Sequence, residues 1–163
     1  MAMHLQDDQP LEIVFGIREC DCIRIEVLGP TCPLAEEDWY RAQLDAEIHI
    51  NMGTFRGYRS LVMFSDDFHV FRAALRRMLS GATVGAWLVS GDFLSVEVRV
   101  EGSAYIVWMQ LDALGQDGEE LLRDGGTENW EWRLEMGRIS LDKLLAAVTR
   151  VSERYPTWSV PRN

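Results

Sequence analysis

The chain has 163 residues, a formal net charge of −10 and 47% hydrophobic residues. That length suits one domain with a real core, and the apolar content excludes a disordered chain. The acidic balance argues against a nucleic-acid binder, whose affinity comes from Lys and Arg against phosphates, and no apolar run nears the roughly 18–20 residues of a membrane helix.

Residues 1–10 are polar and acidic and read as a flexible leader ahead of a single domain over 11–158. They match neither a signal nor a transit peptide, so a cytoplasmic location is expected. Leu11, Ile13 and Phe15 alternate, break at Arg18-Glu19-Cys20-Asp21, and are followed by alternating Ile23, Ile25 and Val27. Side chains two apart share a strand face, so these runs predict a hairpin with one buried side. Cys20, Cys22 and Cys32 are an odd set without an export signal. They read as reduced structural thiols, since a zinc knuckle needs a second pair or histidines at closer spacing.

A short helical turn is expected from Glu36 to about Gln43. Ala46, Ile48, Ile50 and Met52 then alternate with Glu47, His49 and Asn51, which puts His49 on a polar, solvated face. Phe55–Phe64 is the next strand. Over 65–81, Phe68, Phe71, Leu75, Met78 and Leu79 form a helical stripe. Ser65 or Asp66 is the expected cap, with Asp66 and Asp67 favoured by the helix dipole and Gly81 as the stop. Val84–Val89, Phe93–Val100 and Ala104–Leu111 are three strands joined by short polar turns, an antiparallel meander.

Residues 112–128 carry six acids, Asp112, Asp117, Glu119, Glu120, Asp124 and Glu128, against a single basic residue, Arg123. A long acidic loop in a compact domain is a candidate for function, and these six are the candidate partner-binding residues. Trp130, Trp132, Leu134 and Met136 alternate as a further strand. Ser140 is the expected cap of a last helix carrying Leu141, Leu144, Leu145 and Val148, stopped at Pro156. The fold class is therefore α+β: a mainly antiparallel β-sheet of about eight strands with two amphipathic helices packed on it.

Phosphate-binding glycine loops, HExxH and the GxSxG elbow are all missing from the sequence. No catalytic, cofactor-binding or metal-ligating residue is assigned on that basis, and no enzyme or cofactor is expected.

The middle of the chain resembles the WapI-type immunity proteins of bacterial polymorphic toxin systems and related small domains. The resemblance is carried by Asp45-Ala46-Glu47-Ile48, by Phe55-Arg56-Gly57 and by Leu61 through Phe68 leading into the helix. Leu75 to Gly81, Leu94 through Val98 and the turn at Gly102 continue it, over roughly 11–155. It implies a non-enzymatic protein that binds and neutralises a cognate protein toxin by occlusion. A basic toxin surface would complement the acidic charge. The competing readings are a ligand-binding or enzymatic domain whose pocket is lined by Trp87, Trp108, Trp130 and Trp132, and a structural subunit of a larger assembly.

Overall fold

The computed structural model of the protein describes residues 10–33, 42–91, 94–112 and 129–157, without the side chains of Asp112, Asn129 and Trp130. The chain runs β1 (Leu11–Gly16), β2 (Cys22–Pro30), β3 (Gln43–Met52), β4 (Phe55–Phe64) and α1 (Ser65–Leu79). It continues with β5 (Gly85–Ser90), β6 (Leu94–Glu101), β7 (Ala104–Asp112), β8 (Asn129–Met136) and α2 (Arg138–Arg154). The α+β class is as read from the sequence, with the eight strands divided into two antiparallel sheets ordered β1-β2-β3-β4 and β5-β6-β7-β8. The helical turn expected from Glu36 lies outside the described residues except at its end, where Gln43 already begins β3.

Each half of the chain is thus a four-stranded meander followed by a helix. Period-two alternation gives each sheet one apolar face, which must be covered. Each helix covers the opening strand of the other half: α1 lies against β5, α2 lies against β1, and the two helices pack on each other. One contiguous core results. It joins Ile13, Phe15, Ile25 and Ile48 of the first sheet to Leu88, Val96, Val107 and Met109 of the second. Phe68, Phe71 and Leu75 of α1 and Leu141, Leu144 and Val148 of α2 complete it. The Phe15 and Phe71 rings meet at 6.3 Å across the β1–α1 contact, and Phe55 meets Trp132 at 5.7 Å between the two sheets.

Polar ties reinforce the exchange. The Ser65 hydroxyl donates to the Pro156 carbonyl at 3.0 Å, and His69 Nε2 lies 2.8 Å from the Tyr155 carbonyl oxygen. A carbonyl only accepts, so this bond requires the proton on Nε2. The start of α1 and the end of α2 are therefore fastened together.

Two expected caps are corrected. Ser65 is already the first residue of α1, and its hydroxyl is committed to Pro156 rather than to the helix. Asp67 acts instead, its carboxylate accepting the Phe64 N–H at 3.2 Å. Ser140 lies inside the first turn of α2, because Gly137 leaves β8 extended and its carbonyl accepts from Leu141. Gly81 does take the left-handed stop, at φ +80°. At Gly16, φ is +99° and an added Cβ would lie 2.4 Å from the Asp21 carbonyl oxygen, so the β1–β2 turn requires glycine.

Leu75 is wholly buried between the sheets and α2. Leu75→Ala is expected to lower unfolding free energy by about 2–5 kcal/mol in urea titration, and Leu75→Asp to leave no folded protein. A folded Leu75→Asp variant would remove α1 from its central place. Burial also pushes the Asp67 carboxyl above its ordinary value of 3.8 despite the Phe64 and Ser90 hydrogen bonds. A raised folded value favours the protonated form, so this contribution is complete below 3.8 and lost as pH rises through the folded value. Asp67→Asn should therefore gain stability relative to the parent chain as pH rises from about 4 to about 7. Parallel stability curves for the two proteins would refute this.

Candidate functional site

Strand parity leaves each sheet an outer face. Three residues of the acidic set expected at the loop, Asp117, Glu119 and Glu120, lie outside the described residues, as do Asp124 and Glu128. Asp112 ends β7 in register with Asn129 at the start of β8. The segment between them is therefore anchored at both ends on the second sheet.

Just inside that anchor, the outer face of the second sheet carries a cross-strand row of Trp87, Glu97, Trp108 and Arg133. Beside it runs a second row of Val89, Ser95, Gln110 and Glu131. Trp87 is 47% exposed and Trp108 36% exposed. They border a shallow depression of about 400 Å³ whose acids are Glu97, Glu101 and Glu131. Arg99 Nε donates to Glu97 at 2.8 Å, and the Arg133 guanidinium sits 5.5 Å from the centre of the Trp108 ring. The Trp87 ring lies over Gly85, where an added Cβ would come within 3.1 Å of it. Water-exposed tryptophans beside carboxylates suit a partner that presents cationic side chains, by cation–π and ion-pair contact together.

The aromatic pocket considered from the sequence does not form from these residues. Trp132 shares the inner face of β8 with Leu134 and Met136 and packs against the core, opposite Trp87 and Trp108. The Trp130 side chain lies outside the described residues.

The outer face of the first sheet is more polar. Glu12, Glu26 and Glu47 stand directly opposite one another across β1, β2 and β3. Like charges in that relation destabilise a sheet, and nitrogen-bearing side chains gather around them. Arg18 pairs with Glu12, Arg24 Nε lies 3.5 Å from the same carboxylate, and His49 Nε2 lies 3.4 Å from Glu47 and 3.6 Å from Glu26. His49 is on the outer face as its parity requires, but it is half-buried rather than solvated. Its Nε2 has no solvent contact and no hydrogen-bond partner. What the sequence could not supply was the register that sets two glutamates beside it.

A further depression of about 640 Å³ separates β1 from α2, with Lys143 and Arg150 on its helical side. Among the described residues that line it there is no aromatic side chain and no His, Cys or Asp. Of the cysteines, Cys22 alone is buried, while Cys20 and Cys32 are exposed. Burial pushes the Cys22 thiol above its ordinary value, and its Sγ lies 3.7 Å from the Arg18 carbonyl oxygen. The structural-thiol expectation thus describes Cys22 and not the other two.

Compared with known proteins, residues 14–156 match the family model described as the immunity protein WapI-like family. No curated protein and no solved structure matches the chain.

Thiol exposure is directly testable. Iodoacetamide should modify Cys20 and Cys32 in the folded protein and reach Cys22 only on unfolding, as peptide mass mapping would show. Rapid labelling of Cys22 under native conditions would contradict its burial.

Proposed function

The chain belongs to the WapI-like immunity protein family, and from that membership we propose that it neutralises a cognate bacterial protein toxin by binding it and occluding its working surface. The observation that carries this reading is the extent of the match, which takes in both sheets and both helices. The reading is non-enzymatic and places the encounter in the cytoplasm.

The docking surface we assign is the outer face of the second sheet, and the acids Asp112, Asp117, Glu119, Glu120, Asp124 and Glu128 are further candidate partner-binding residues. Trp87 and Trp108 serve as anchors, and Glu131 receives a basic side chain of the toxin, while Glu97 and Glu101 are paired within the face with Arg99 and Arg133. Aromatic anchors ringed by polar residues are the usual composition of the energetically dominant part of an interface. The net charge of −10 speeds encounter with a basic partner and disfavours acidic ones. This assignment differs from an active-site reading in needing no pocket, only a face that excludes the toxin's substrate.

The test is a search of the genes beside this one for a toxin domain, followed by co-expression with it. The parent chain should restore growth and co-purify with the toxin. Trp87→Ala and Trp108→Ala should each weaken binding by about 2 kcal/mol or more, roughly thirtyfold, while leaving circular dichroism unchanged. No protection by the parent chain would sink the immunity reading. Protection that survives both substitutions would keep that reading and move the docking surface elsewhere.

A further inference from the structure

We propose that Glu26, Glu47 and His49 form a binding site for one divalent transition-metal ion of the Zn²⁺ class on the outer face of the first sheet. Among the described residues these three offer ligand atoms that all lie within 4.8 Å of one another. A tetrahedral ion with bonds of about 2.0–2.2 Å holds its ligand atoms about 3.3–3.6 Å apart. The His49 Nε2 distances of 3.4 Å to Glu47 Oε2 and 3.6 Å to Glu26 Oε2 match that separation.

The same distances are poor for hydrogen bonds. Nε2 is shut off from solvent with no partner, although the side chain as a whole is 29% exposed. A metal ion would satisfy this nitrogen through its lone pair. It would also relieve the opposition of Glu26 and Glu47, which face each other in register. The neighbouring Glu12 is engaged by Arg18 and Arg24, and Arg24 stands opposite His49 in register.

The donors stand on paired strands in the middle of a sheet, which fixes their separation in advance. The Tyr58 ring, 5.5 Å from the imidazole, packs beside His49. One imidazole with two carboxylates suits Zn²⁺, Co²⁺ or Mn²⁺ better than Ca²⁺ or Mg²⁺, which take all-oxygen shells. Three protein ligands leave a coordination position open to water or to a donor from a partner. The site lies on a different sheet from the docking face above and stands whether or not the immunity reading does.

The experiment uses tag-free full-length protein in a Cys20→Ser/Cys32→Ser background, so that exposed thiols do not compete. Titration calorimetry with ZnCl₂ should show one ion per chain, and CoCl₂ should give visible d–d absorption. His49→Gln, Glu26→Gln and Glu47→Gln should each lower Zn²⁺ affinity by roughly tenfold or more, with circular dichroism confirming the fold. Zn²⁺ should raise the melting temperature of the background protein and not that of His49→Gln. Absence of Zn²⁺ binding, affinity unchanged from the background protein in all three variants, or a preference for Ca²⁺ or Mg²⁺ would each overturn the assignment.

Discussion

The structure depends on an exchange of cover. Each four-stranded meander shares the cover of its apolar face with the other half, because each helix packs chiefly on the opening strand of the other half and on the other helix, while Phe71 of α1 also meets Phe15 of β1. Apolar strand surface left in water opposes folding by about 25 cal/mol per Å², so neither half has a complete core without the other. The Ser65–Pro156 and His69–Tyr155 hydrogen bonds fasten the helix ends where the exchange closes. Loss of packing at Leu75 is therefore felt on both sheets.

Because the helices and inner faces are consumed by this exchange, the two outer faces are free to diverge. The first sheet carries opposed glutamates with histidine and arginine between them. The second carries tryptophans bordering a carboxylate-lined depression. The shared ββββα order thus supports two chemically unlike surfaces. In such an arrangement either face can change while the core is kept.

Much of the fold was legible in the alternation of residues such as Ile23, Ile25 and Val27 or Leu94, Val96 and Val98, and in the stripe from Phe68 to Leu79. The division into two sheets was not, because alternation records that a face is buried without saying against what. The caps were misplaced for a similar reason: Ser65 has the right chemistry for a cap, but its hydroxyl is taken by a residue 91 positions away. Trp132 could be put in the core from its parity with Leu134 and Met136. Trp87 could not be placed outside, because Ala86–Val89 is apolar throughout and shows no alternation. His49 was legible as an outward residue. Its two glutamate neighbours come from cross-strand register, which no single strand encodes.

The placement of α2 on β1 also sets an order of events during synthesis. The first strand leaves the ribosome well before the helix that covers it, which spans residues 138–154. Until then β1 lacks its α2 cover, and long-range contacts of this kind slow folding and prolong exposure to aggregation. The core shared by the two sheets therefore closes only once α2 has been made.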